Sequence, residues 1–214
     1  MDIGYIILVI GVILFSMTLH EAMHAFMGYF LGDDTAKLEG RLTLNPVKHI
    51  DPFLTILLPV MLAIVGGPIF GGAKPVPFNP NRVKWDEWGA ALVALAGPLT
   101  NLLIAFVSFG LFAILFIQGV TPVGMEWLAT VLTTTTTVNL GFFVFNMLPL
   151  PPLDGSRVLY ALAPEFVRRG MEVIEQYGIF LVFALVLLAS STIGAIMGAG
   201  IDGIVNVFSW IFQV

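Results

Sequence analysis

The sequence predicts an all-α polytopic membrane protein, with short β or re-entrant segments and additional C-terminal spans. Two observations carry this. Of 214 residues, 58% are hydrophobic and 11% charged, where ordinary soluble domains are about 25% charged; the mean hydropathy is +0.97. The apolar residues are also gathered into runs at about 3–31, 53–70, 90–118, 127–148 and 178–214, and roughly 20 apolar residues cross a bilayer as a helix.

The first run opens Met1-Asp2 with no basic residues ahead of it and continues past Leu19, so it reads as a span and not as a cleavable signal peptide. The second, 53–70, is short and interrupted by Pro59 and Gly66-Gly67-Pro68, which weaken a helix; it reads as a segment that dips into the membrane and returns. The third and fourth runs qualify as spans by length. The last, 178–214, is long enough for one span or two short ones, and Ser190-Ser191-Thr192 and the glycines around 194–203 would mark the break between two. Residues 32–52 and 71–80 are loops by content. In the first, Leu38, Leu42 and Leu44 alternate in a way that hints at short strands; the second, GGAKPVPFNP, is too rich in proline and glycine for a helix. The whole chain, 1–214, is expected to form one membrane-embedded domain, with its core at about 3–160 and the C-terminal spans at about 178–214.

Charge placement orients the spans. The nine basic residues are Lys37, Arg41, Lys48, Lys74, Arg82, Lys84, Arg157, Arg168 and Arg169. If 53–70 returns without crossing, all nine fall on one face, as the positive-inside rule requires. The expected topology is an outside N-terminus with 32–52, 71–89 and 149–177 facing the cytoplasm. A net charge of −5 with no basic tract gives no reason to expect a nucleic-acid partner. The absence of cysteine removes disulfides and thiolate ligands and leaves His, Asp and Glu to bind metal.

Within the first run stands His20-Glu21-Ala22-Met23-His24. Histidines four apart on a helix share one face. They can grip one zinc ion while the glutamate between them acts as general base on a metal-bound water. Ionisable groups at membrane depth are costly and are retained mainly for function. A catalytic zinc usually takes three protein ligands, and the best third candidate is Asp154, in Asn146-Met147-Leu148-Pro149-Leu150-Pro151-Pro152-Leu153-Asp154-Gly155. The prolines end the fourth span and leave non-helical backbone near membrane depth, which survives only in protein or beside a cavity. The alternative for Asp154 is a cap on the next helix. Topology agrees with the ligand reading. The histidines lie about 12–18 Å before the end of the first span, in its cytoplasmic half, and the fourth span returns Asp154 to that side if 53–70 does not cross.

HEAMH and NMLPLPPLDG resemble the two motifs of the site-2 protease family of intramembrane zinc metalloproteases; the second matches N-x-x-P-x-P-x-L-D-G at every fixed position. GRLTLNP at 40–46, HIDP at 49–52, AKPVPFNP at 73–80 and ALAGPLTN at 94–101 are similar to a short bacterial and archaeal branch without PDZ or CBS domains. The resemblance implies one Zn2+ held by His20, His24 and Asp154, with Glu21 as catalytic base. It also implies a three-span catalytic core with a site open to the cytoplasmic side of a prokaryotic cytoplasmic membrane, and substrates that are membrane proteins or membrane peptides in the lipid bilayer. Asn146 is a candidate for substrate positioning or for the developing oxyanion, with an interhelical hydrogen bond as its alternative. The segments at 53–80 offer an edge on which an unwound substrate would pair.

Other features read more plainly. The Thr133–Thr137 run suits helix packing through hydroxyls that bond back to helix carbonyls. Arg157 reads as a cytoplasmic anchor, His49 as outside both motifs, Asn101 as a packing residue and Asp202 as the mark of a turn. Two rival functions are a metal-binding membrane transporter or channel, and an inactive scaffold for membrane helices. Glu21 separates them from proteolysis, since neither needs a general base.

Overall fold

The protein is described by a computed structural model at residues 3–57, 61, 73–118, 124–178, 180, 184 and 190–214. All regular structure among these residues is helical, and four helices are long and apolar enough to cross a membrane: Ile3–Leu31, Asp86–Ile117, Glu126–Asn146 and Ser191–Phe212. Most of the 53–70 segment, including the stretch that decides whether it crosses, lies outside the described residues. By internal contacts the chain forms two compact units, Met1–Gly97 and Pro98–Val214.

The first unit begins with α1 (Ile3–Leu31). It has no proline and is apolar all round, as a helix facing lipid or protein on every side must be. It stops at Gly32, where φ is +111°. There Asp33 N–H bonds the Gly28 carbonyl (2.9 Å) and Gly32 N–H the Tyr29 carbonyl (3.1 Å), the paired bonds of a Schellman end. The short strands expected around Leu38, Leu42 and Leu44 are not formed. Asp33 Oδ1 accepts from the Thr35 N–H and hydroxyl and starts the one-turn helix α2 (Thr35–Leu38). Asn45 then caps a 3-10 turn at Pro46–Lys48 through the Val47 N–H. Local side-chain bonds of this kind compete with strand pairing, and both turns pack on α1. A π-helical turn at Pro52–Leu57 follows. Residues 73–79 have no regular secondary structure, and a 3-10 turn at Pro80–Arg82 leads to α3 (Asp86–Phe112). Leu31, Val83 and Val93 form the apolar centre, with Met27 and Phe78 against them.

The second unit takes the rest of α3, which ends in a π-helical turn at Ala113–Ile117. It continues with α4 (Glu126–Asn146), α5 (Asp154–Leu162), α6 (Glu165–Glu175) and α7 (Ser190–Phe212). Ala105, Leu140 and Phe208 make its core, ringed by Leu102, Phe106, Phe109, Ile201, Ile204 and Val205. Phe106 and Phe208 meet edge to face with centroids 5.2 Å apart. Asn101 and Asn139 are fully buried; Asn101 Nδ2 donates to Asn139 Oδ1 (2.8 Å), and Asn139 Nδ2 to the Thr135 carbonyl. In the threonine run, Thr133, Thr135 and Thr136 bond back to Ala129, Val131 and Leu132 carbonyls. Arg157 pairs with Glu175.

A break within 194–203 is not formed: α7 runs unbroken through all its glycines, and Asp202 lies mid-helix and marks no turn. Glycine costs a helix only about 1 kcal/mol, and at Gly200 the absent side chain lets α7 close on α4. A Cβ on Gly200 would stand 2.9 Å from Val144. Whether another span precedes α7 lies outside the described residues. The exposed tryptophans 85, 88, 127 and 210 sit at or beside helix ends, where a membrane interface favours them.

Candidate metal centre

Helical spacing places His20 and His24 one turn apart on α1, with Glu21 beside them; His20 and Glu21 are buried and His24 half-buried. The rings meet edge-on, 85° apart, with Nε2 facing Nε2 at 3.0 Å. His24 Nδ1 stands 2.7 Å from the Val93 carbonyl. A carbonyl only accepts, so Nδ1 carries the proton and Nε2 presents a lone pair, as outer hydrogen bonds do for metal-binding histidines. Two nitrogens about 2.0–2.1 Å from one tetrahedral zinc stand about 3.3 Å apart, close to the separation seen.

Gly97 completes this half of the site. A Cβ there would collide with His24 Nε2 and come within 2.7 Å of His20 Cε1, so the backbone of α3 presses on both rings and leaves no room for a side chain. The imidazoles are held with their Nε2 atoms facing one another, and they fit a zinc ion. Glu21 Oε2 accepts the Val76 N–H at 3.0 Å. Asp33 Oδ2 accepts the Asn79 N–H at 2.7 Å. Burial works to raise the Asp33 pKa, but the Asn79 N–H, the Thr35 hydroxyl and N–H, and the Arg82 guanidinium outweigh it and hold the carboxyl below the usual carboxylate range.

In the second unit, Asp154 is the first residue of α5, half-buried. The cap position falls on Leu153, which has no polar side chain to cap with. A Cβ on Gly155 would run into the Met147 and Leu148 carbonyls, so the Asp-Gly pair is what lets α5 start hard against the end of α4. Ser156 locks the turn from inside, its N–H and hydroxyl both bonding the Leu153 carbonyl. Asn146, half-buried at the end of α4, donates Nδ2 to the Phe142 carbonyl at 3.0 Å. His49 is buried in the first unit with Nε2 against the Thr43 carbonyl (2.8 Å).

Gly97, Val93 and Val76 were not singled out in the sequence, although ALAGPLTN and AKPVPFNP contain or adjoin them; spacing alone does not say which backbone meets which side chain.

Membrane-length helices and an imidazole pair flanking a carboxylate define, as a class, a membrane protein whose first helix offers two imidazole nitrogens to a metal. The family model for peptidase family M50 matches residues 117–190, the stretch around Asp154. YwhC of Bacillus subtilis (strain 168), named as a candidate zinc metalloprotease, is 44% identical over 207 residues, covering 92% of this chain and 89% of its own. Rip2 of Mycolicibacterium smegmatis, named likewise, is 34% identical over 189 residues, 86% of this chain and 68% of its own. MJ0611 of Methanocaldococcus jannaschii, again named likewise, is 35% identical over 104 residues, about half of each chain. No solved structure gives a significant match. The chain belongs to peptidase family M50, the site-2 protease family, and is a zinc metalloprotease.

Proposed function

We propose that the protein is an intramembrane endopeptidase that hydrolyses peptide bonds within or near transmembrane segments of membrane proteins in the lipid bilayer. In this reading His20, His24 and Asp154 hold a single zinc ion and Glu21 is the catalytic base. The observation that carries it is the convergent His20–His24 pair beside Glu21 on a helix long and apolar enough to cross a membrane. Two imidazoles and a carboxylate are a donor set that suits zinc.

Zinc at such a site polarises a carbonyl and makes water acidic enough to attack near neutral pH. The protein's own groups do the rest. The Val93 carbonyl fixes the His24 tautomer, and Gly97 keeps the approach to both rings clear. Glu21 Oε2 is tied to Val76, so Oε1 is the atom that takes a proton from water and returns it to the leaving amine. One Asn146 amide hydrogen is engaged by the Phe142 carbonyl, and this reading gives the other to a substrate carbonyl. The site faces the cytoplasmic side of a prokaryotic cytoplasmic membrane, following the basic loops.

The test is zinc analysis together with cleavage of a dye-labelled single-span peptide in vesicles. Native protein is expected to hold one zinc and cleave. Glu21→Gln should hold the same zinc and lose about 10²–10⁴-fold in rate, and Asp154→Ala should lose zinc. Equal cleavage by native protein and Glu21→Gln would remove the assignment of the base; full zinc in Asp154→Ala would remove the third ligand.

A further inference from the structure

The Glu21 carboxylate is not held by its own helix but by a segment 55 residues away in sequence, and that segment is fastened on both sides of the contact. Before Val76, the Lys74 N–H bonds the His49 carbonyl (2.9 Å), and the Lys74 carbonyl accepts from Arg41 Nη2 (2.7 Å). After it, the Asn79 N–H bonds Asp33 Oδ2 (2.7 Å). Arg41, Asp33 and His49 are all buried, at 5%, 2% and 2% exposure.

The residues between the fastenings limit what the segment can do. Pro75 and Pro77 have no N–H, so Val76 carries the one donor at the crossing. A slip of one residue either way would offer Glu21 a proline. Arg41 is a buried guanidinium whose Nε has no hydrogen-bond partner among the described residues. Burying it is costly, and the bond it makes is to this segment.

We propose that residues 73–79 form a positioning strap for the general base: the Val76 N–H holds Glu21 Oε2, and Arg41 and Asp33 anchor the strap's two ends. This rests on Glu21 being the base. A glutamate side chain rotates about three bonds. Fixing one oxygen with a charge-assisted N–H···O bond leaves the other in a single place, and proton transfer depends on that placement. The contribution is made by backbone, so the identity of side chain 76 is immaterial to it. Val76, Arg41 and Asp33 are positioning residues, and the strap acts on turnover, not on substrate affinity.

The full chain is studied in phosphatidylcholine–phosphatidylglycerol vesicles with a dye-labelled single-span peptide. In one variant the residue 76 amide is replaced by the ester of the matching hydroxy acid, which removes the N–H and keeps the shape. Its kcat is expected to fall roughly 10- to 100-fold, part of the roughly 10²–10⁴-fold that a general base supplies, with KM within about twofold and zinc content unchanged. Val76→Ala, which keeps the N–H, should stay within about threefold of native, and Arg41→Lys should recover most of what Arg41→Ala loses in kcat. An ester variant at native kcat, beside an inactive Glu21→Gln, overturns the strap alone; a fully active Glu21→Gln overturns the assignment of the base instead. Hydrogen exchange reads the bond without turnover and decides the matter if the ester variant folds poorly. The Val76 amide should exchange about tenfold faster or more in Glu21→Ala, and an unchanged rate overturns the proposal.

Discussion

At the scale of single residues, the site depends on positions that bear no reactive group. Gly97 is the sharpest case, because any side chain there enters the space of both imidazoles. Gly97→Ala is expected to weaken zinc binding by about 10- to 100-fold, the usual cost of disturbing a ligand's supporting shell, measured by competition with a chelating dye. Asp33 offers a pH test. Its lowered pKa means the folded state binds its proton less readily than the unfolded chain, whose carboxyl titrates near 3.9. The stability it contributes is present above that value and is lost as pH falls through the lower folded value. Asp33→Asn should therefore melt below native at pH 6–7, with the gap closing under acid of about pH 3 and below. The juxtaposition of His20, Glu21 and His24 on one helix was legible in the sequence because their spacing of one helical turn is local. Val93 and Val76 were not, since they meet their partners across 69 and 55 residues.

At the scale of elements, close helix contact is made by small residues and sealed by amides. Asn101 and Asn139 sit fully buried in the second unit and satisfy one another. Asn139→Leu should lower stability by about 1–2 kcal/mol, with a coupling to Asn101→Leu near the roughly 0.6–1.7 kcal/mol of side-chain hydrogen bonds between membrane helices, read from a double-mutant cycle of unfolding in detergent. The packing role read for Asn101 and the back-bonding read for the threonines match what is seen. The break read into 194–203 does not, because α7 runs on through its glycines, one of which, Gly200, gives Val144 room. Periodicity reports the presence of a helix better than the reason for its small residues.

At the scale of the molecule, the charge bias predicts one orientation, with all nine basic residues on one face if 53–70 returns without crossing. The chain has no cysteine, so single cysteines at 37, 79 and 165 can be labelled without background. All three should react with an impermeant thiol reagent from the cytoplasmic face. Reaction of 79 from the face opposite 37 would show that 53–70 crosses, and would reverse the topology drawn from the charge bias. Removing zinc with a chelator should abolish cleavage while leaving the membrane helices intact by circular dichroism, since their stability comes from apolar burial and backbone bonds, not from the ion.

The sequence by itself determined the solvent, the helical class and the chemistry on offer. Hydropathy runs, the His-x-x-x-His turn and the Pro-rich approach to Asp154 are local patterns, and local geometry follows from them directly. Only the tertiary structure decided which carbonyl sets the His24 tautomer, which backbone N–H holds Glu21, and that α3 presents a bare glycine to both rings. It also decided that residues 33–48 turn on Asp33 and Asn45 instead of pairing as strands. Those outcomes rest on side chains and backbone meeting from distant parts of the chain, and such meetings leave no period in the sequence to read.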